Sequence, residues 1–289
     1  MLNRFARSIA IIAMTASAGA CTPTLRLPDP TPTMTPVATV QTGTLVASGF
    51  LTVCSDLSRP PQDMINGGVP LGSDIDISRE MATRLGLTLK VENIGMADIR
   101  NAVNAGNCDI AVAGIRDSSD TAKGFDLIAY LQVSQIVLLR KDNPAAIAVQ
   151  NDLCGRGIAV MKGSDEEASI IGVGSYSGRG LSDACIQSGH TAIQARGFVS
   201  DSDAVSAVLS GDVDAFLADS ALAGYELQQH GDTLAQVKGV TMTVDTESIV
   251  LLQGKPDLRA AIAKVLESMQ RDGTYGKILA KYGIASLDH

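Results

Sequence analysis

Apolar and polar positions along the chain switch between a helical and a strand period, and one such unit occurs twice. Residues 102–113 read Ala-Val-Asn-Ala-Gly-Asn-Cys-Asp-Ile-Ala-Val-Ala, and residues 207–218 read Ala-Val-Leu-Ser-Gly-Asp-Val-Asp-Ala-Phe-Leu-Ala, an offset of 207 − 102 = 105. In each copy an apolar stripe at helical spacing (Ile99, Ala102, Val103; Ala204, Val205, Val208, Leu209) stops at a glycine suited to a left-handed cap. Asp109 or Asp214 then opens a continuous apolar run, the pattern of a strand covered on both faces in a parallel sheet. The same pattern predicts strands at 51–54, 87–91, 136–139, 157–161 and 248–252. It predicts helices from Asp76 to Leu85 (Ile77, Met81 and Leu85, closed by Gly86), over 257–271 and around 275–282.

Two such units in tandem predict an α/β chain of two lobes, each an open, mixed, mainly parallel sheet. Residues 45–140 and 249–289 form the first lobe and 141–248 the second, with crossings near 139–143 and 247–251 acting as a two-strand hinge. Ligands of such sheets sit beyond the carboxyl ends of the strands, which singles out Gly114, Ile115 and Arg116 in one lobe and Asp219 in the other.

Ahead of the folded body, Arg4 and Arg7 precede an apolar stretch at 9–14 and the small residues Ala18-Gly19-Ala20. This predicts an export signal over residues 1–20, too short to span a membrane in the mature protein. The residues before Cys21 resemble the processing box of bacterial lipoproteins, with Ala18 where leucine is usual, which implies lipidation of Cys21. Residues 21–44 are rich in Thr and Pro without period and predict a disordered tether.

Export permits disulfides. Cys154 and Cys185 flank a glycine-rich stretch, and a bridge there would restrict a loop of about thirty residues, worth about 3 to 4 kcal/mol in the chain-entropy picture. Cys54 lies late in its strand and Cys108 before the start of another; at opposite levels of a parallel sheet they are expected to be buried free thiols.

Hydrophobic residues make up 45% of the chain without any Trp, so cores must rest on Ala, Val, Ile and Leu. The net charge of −8, with no basic cluster after the first ten residues, excludes the electrostatic footprint of a nucleic-acid binder. Gly172 through Gly180 lacks the Lys-Ser/Thr of a phosphate loop, and Asp74/Asp76 and Asp201/Asp203 sit at helix starts without calcium-loop spacing. No cofactor or metal is expected.

Six motifs in order make a family resemblance specific. Gly72-Ser73-Asp74-Ile75-Asp76, Arg84-Leu85-Gly86, Gly106-Asn107-Cys108-Asp109, Gly155-Arg156-Gly157-Ile158-Ala159-Val160 with Lys162-Gly163-Ser164, Gly211-Asp212-Val213-Asp214-Ala215, and Asp272-Gly273-Thr274-Tyr275-Gly276-Lys277-Ile278 resemble the amino-acid-type (family 3) periplasmic solute-binding proteins of ABC importers. The likeness covers residues 49–284. It implies the type II periplasmic binding protein fold and a small polar or zwitterionic solute captured between the lobes by hinge closure. A membrane permease is the implied partner, and the receptor is implied to be monomeric and lipid-anchored in the periplasm or on the outer face of the cytoplasmic membrane.

In that family the solute carboxylate meets an arginine of lobe one and amide and hydroxyl donors of lobe two, which match Gly163, Ser164 and Asp165; its ammonium meets an aspartate that matches Asp219. Asp219 also reads as a cap of the helix that follows. The family's arginine is replaced by Thr121, leaving Arg59 and Arg116 as alternative cations for an acidic group, with Asp56 beside Arg59 in the first loop. Either arginine could equally be a solvated rim position. Two other classes stand beside this reading. One is a periplasmic enzyme of cyclohexadienyl dehydratase type, although no nucleophile–base pair is spelled out around His190, His230 or His289. The other is a ligand-sensing module acting in trans.

Overall fold

The computed structural model describes residues 35–41, 43–118 and 121–285. The export signal, Cys21 and the tether as far as residue 34 lie outside them. Among the described residues no helix is long and apolar enough to cross a membrane.

The first lobe opens with β1 (Phe50–Ser55), a small antiparallel sheet of β2 (Ser58–Arg59), β3 (Asp63–Asn66) and β4 (Val69–Leu71), then α1 (Ser73–Arg84), β5 (Thr88–Asn93), α2 (Met96–Asn104) and β6 (Ile110–Ala111). The long strand β7 (Phe125–Arg140) leads to β8 (Gly157–Met161), α3 (Asp165–Ile171), α4 (Leu181–Gln187), β9 (Gln194–Phe198), α5 (Asp201–Ser210), β10 (Ala215–Asp219) and α6 (Ser220–His230). A second long strand, β11 (Leu234–Leu252), returns to α7 (Pro256–Arg271) and α8 (Thr274–Lys281). Eight strands form one sheet in the order β5-β1-β6-β11-β7-β10-β8-β9. The outer three at each end run parallel, and β7 and β11 run antiparallel between them. This is the predicted two-lobed α/β arrangement, its two sheets merged through the long strands.

The repeat seen in sequence is kept in register. Val53 pairs with Ile110 and Ile158 with Ala215, so 158 − 53 = 105 and 215 − 110 = 105. Each repeated aspartate clamps the start of the first strand of its lobe: Asp109 accepts from the Thr52 N–H at 2.8 Å and Asp214 from the Gly157 N–H at 2.9 Å. Their own N–H groups donate to the same two residues' carbonyls at 2.8 Å. A carboxylate thus satisfies a backbone donor where the ladder begins.

Helices cover both faces of each end. In lobe one, α1, α7 and α8 bury Ile77, Met81, Ile262, Val265 and Leu279 on one face, and α2 buries Ile99 and Val103 on the other. The buried Arg84 bonds Glu80 at 2.7 Å and Asp272 at 2.7 Å, tying α1 to the C-terminal helices. In lobe two, Ile170 and Cys185 from α3 and α4 face one core, and Ala204, Val205 and Leu222 from α5 and α6 the other.

Several expectations change. The strand expected at 136–139 is the end of β7, and that expected at 248–252 is the end of β11. β7 begins with the half-buried residues Phe125–Ile128, β11 begins by mixing buried Leu234, Val237 and Val240 with exposed positions, and β11 carries register shifts. Val133 packs in the lobe-one core and Ile136 against lobe two, so β7 changes lobes at Ser134–Gln135, earlier than the composition change at 140–143 suggests. Val240 and Ile249 bracket the corresponding passage of β11.

Cys154 and Cys185 form a disulfide as expected, with Cα atoms 5.6 Å apart. Cys54 and Cys108 are not free thiols: they form a second disulfide, with Cα atoms 5.7 Å apart. Cys108 is not held at the opposite level of the sheet: the turn after α2 brings it onto the sheet face that α2 covers, beside Cys54. Residues 35–41 and 43–44, at the end of the expected tether, carry no helix or strand. Yet Val37, Ala38, Val40 and the adjoining Leu45 pack against the lobe-one core, and the Val37 N–H donates to the Arg84 carbonyl at 2.8 Å.

Candidate functional site

The carboxyl ends of β1 and β8 face a cavity of about 300 Å³. Lobe one contributes Asp56, Ser58, Arg59, Gln62 and Met96; lobe two contributes residues 161–164, Glu166, Val199, Asp201, Asp219 and Leu222. Of the residues singled out in sequence, Asp56, Arg59, Gly163, Ser164 and Asp219 therefore meet here. Gly114, Ile115, Arg116, Thr121 and Asp165 do not line it.

The lobe-one wall is shaped by turns. Asp56 accepts from the Ser58 hydroxyl at 2.6 Å and the Met96 N–H at 2.8 Å, holding the loop after β1 against the start of α2. Arg59 lies on β2, where the paired prolines that follow turn the chain inward to Gln62. Its Nε is buried without a hydrogen-bond partner, and no ion pair involves its guanidinium among the described residues. Such a cation is poised for an incoming anion.

The lobe-two wall is acidic. Asp219 caps α6, its Oδ1 accepting from the Ala221 and Leu222 N–H groups at 2.8 and 2.9 Å. Glu166 is buried and Asp201 half-buried beside it. Burial, with the Asp219 charge added to it, raises both carboxyls above the usual range, although Arg116 opposes the rise in Glu166. Behind them, burial and Asp201 push Glu226 up to about 7. Of the donors expected to hold a solute carboxylate, the Gly163 N–H donates to Glu167 at 2.7 Å, while the Ser164 hydroxyl caps α3 by accepting from the Glu167 N–H at 3.2 Å. Among the described residues no cluster is placed to hold a metal ion.

Arg116 is engaged across the cleft. Its guanidinium pairs with Asp165 at 2.7 Å and Glu166 at 2.8 Å, both at the start of α3, and with Asp245 on β11. Burial opposes its charge, but the three carboxylates outweigh it and raise the Arg116 pKa further. Thr121 is buried and donates to the Arg116 carbonyl at 2.9 Å, so it shapes the loop that presents Arg116. Ile115 is core, and the Gly114 N–H donates to the buried Asp74 at 3.0 Å.

Sequence reasoning missed Gln62, Glu166 and Asp201 as cavity residues. Glu166 and Asp201 read as ordinary first-turn acids of helices. Only their convergence on Asp219, between elements far apart in the chain, marks them out.

A family model described as bacterial extracellular solute-binding proteins, family 3, matches residues 51–285. The chain is similar to the arginine-binding protein ArgT of Corynebacterium glutamicum, 25% identical over 262 residues that cover 89% of this chain and 81% of the relative. Among solved structures it resembles an ancestral cationic amino acid solute-binding protein, AncCDT-1, with 25% identity and a TM-score of 0.70, covering 81% of this chain and 96% of that one. It also resembles an ancestral arginine-binding protein bound to arginine, with 27% identity and a TM-score of 0.63, covering 81% and 98%.

Proposed function

The chain belongs to the bacterial extracellular solute-binding proteins of family 3, and from that membership we propose that it captures an amino acid with a cationic side chain for an ABC permease. It acts outside the cytoplasm as a solute-binding receptor. The observation that carries the choice of solute is the lobe-two wall, where Asp201 and Asp219 converge on the cavity beside Glu166, which Arg116 pairs, and Lys162 is the cation that lines that wall. Like charges gathered in a partly desolvated space raise one another's pKa values, and a bound cation relieves that repulsion. Arg59 on the opposite wall receives the carboxylate, in place of the arginine that Thr121 replaces. The names of ArgT and of the arginine-bound ancestral protein agree with such a solute.

Arg116 has a different part. Joined to α3 and β11, it bridges the lobes outside the cavity and favours the closed arrangement reached by rotation about β7 and β11. The bodies that move are the lobes expected from sequence, with the first boundary shifted from 140 to Ser134–Gln135, where β7 passes from one core to the other. Lipidation of Cys21 would hold the monomeric receptor at the membrane, and loss of fatty-acid labelling in a Cys21→Ser variant tests that anchor.

Calorimetry with a panel of amino acids tests the solute. Arginine and lysine are expected to bind at least about tenfold more tightly than glutamine, and glutamate not to bind. Preference for glutamate over arginine refutes the reading.

A further inference from the structure

Close to Arg59, and outside the lining of the cavity, three carboxyl groups from three separate elements meet: Asp63 of β3, Asp74 of α1 and Glu247 of β11. Asp63 and Asp74 are fully buried and Glu247 is 3% exposed. Asp74 accepts from the Gly114 N–H at 3.0 Å and the Tyr130 hydroxyl at 2.8 Å. Glu247 accepts from the Gln62 amide at 2.6 Å and lies 3.5 Å from the same Tyr130 hydroxyl, while Asp63 accepts from the Ser55 hydroxyl. Asp63 Oδ2 and Asp74 Oδ1 are buried without partners as long as both carboxyls are ionised. A proton on Asp63 lets it donate to Asp74. The cation acting on all three is Arg59, and the other ionisable groups facing them are Tyr130 of β7, Tyr275 of α8 and Asp219 across the cleft.

We propose that Asp63, Asp74 and Glu247 form a proton store close to Arg59, holding a proton when the cleft is empty and taking up more when a solute carboxylate occupies Arg59. This rests on the reading above that Arg59 receives the carboxylate. Three buried like charges with one shared cation cannot all ionise near neutral pH. Burial, then repulsion from neighbouring carboxylates, pushes Glu247 up to about 8; burial pushes Asp74 up to about 6 and, with Asp74 beside it, Asp63 well above its usual value. Arg59 lowers all three. A carboxylate on Arg59 cancels part of that field, so the carboxyls rise again and bind protons. Uptake on binding means that affinity is highest at low pH and falls as pH climbs through the solute-free values of about 6 and about 8. The steepest possible fall is about tenfold per pH unit for each proton. A positive group seated on this wall would release protons instead, so the sign reports the solute's orientation.

Two measurements test the store, with L-arginine and agmatine (arginine without its carboxylate) as probes. Carbon-13 NMR of the solute-free protein is expected to show side-chain carboxyls titrating at pH 6 and above, at least one of them absent in Glu247→Gln. If every carboxyl titrates below about pH 5, the store does not exist. Calorimetry of L-arginine at pH 8, where Glu247 is about half protonated, in buffers of different ionisation enthalpy is expected to report uptake of up to roughly half a proton. That uptake is reduced in Glu247→Gln and Arg59→Gln and absent with agmatine. Binding of L-arginine without uptake, or equal uptake with agmatine, overturns the inference and leaves the receptor reading standing. Titrating carboxyls in a protein that binds neither probe overturn the receptor reading and the coupling together.

Discussion

The two copies of the repeated unit agree where they begin and part where they end. At the beginning, Asp109 and Asp214 clamp Thr52 and Gly157 with the same bonds in the same register. At the end, position 114 corresponds to 114 + 105 = 219, and there lobe one has glycine and lobe two aspartate. Gly114 has a φ of +59°, and a Cβ on it would meet the Gln62 amide at 3.2 Å and Glu247 at 3.4 Å, so the backbone itself closes over the buried acids. Asp219 turns the same strand end outward, spending Oδ1 on the cap of α6 and facing the cavity. Lobe one hides its carboxyls close to a cation; lobe two presents them to the solute. The scaffold is repeated and the chemistry is not.

The largest expected effects fall on the shared clamp. Asp109→Ala removes bonds to both Val46 and Thr52 N–H groups in a buried place, whereas Asp214→Ala removes the one to Gly157. Denaturant unfolding should show losses of about 3 kcal/mol and about 1 to 2 kcal/mol respectively. The reverse order would break the equivalence of the two starts.

Next comes the pH response of the solute-free protein. The folded value for Glu247 is raised from 4.5 to about 8, so the folded state keeps a proton that the unfolded chain releases. Its contribution to stability is full below the unfolded value and is lost as pH rises through the folded one. Melting temperature should therefore fall by about 5 °C between pH 6 and pH 9, and Glu247→Gln should flatten the fall. Glu226 in lobe two, raised to about 7 by burial and Asp201, has the same sign, and Glu226→Gln should remove a separate, smaller share.

The smallest effect sharpens the division between cavity and latch. Arg116→Ala should enlarge the radius of gyration of the solute-free protein in solution scattering while changing arginine affinity by no more than about threefold. A loss as large as that of an Arg59 variant would place Arg116 on the solute.

Much of the scaffold was legible because apolar runs and glycine caps are local signals: β1, β8, α5, α7 and the repeated strands all announce themselves. The long strands were half hidden, since β7 extends back through half-buried Phe125–Ile128 and the polar Gln132 and Ser134, and in β11 Gln236, Lys238, Thr246 and Glu247 interrupt the apolar run. The second disulfide was missed because it depends on how a turn folds over a sheet face, which no strand period encodes. At the site, Asp219 and Arg59 were legible from their places after strands. The buried acids were not, because Asp63, Asp74 and Glu247 come from three elements and each reads alone as a surface or helix-start residue.

The central claim is that the solute's carboxylate meets Arg59 and its positive charge meets the wall around Asp219. Calorimetric titration of L-arginine into wild type, Arg59→Gln and Asp219→Asn tests it most directly, since asparagine still caps α6 and removes only the charge. Binding to wild type with at least about a tenfold loss in each variant is the predicted result. Arginine binding left unchanged in both variants would contradict the claim.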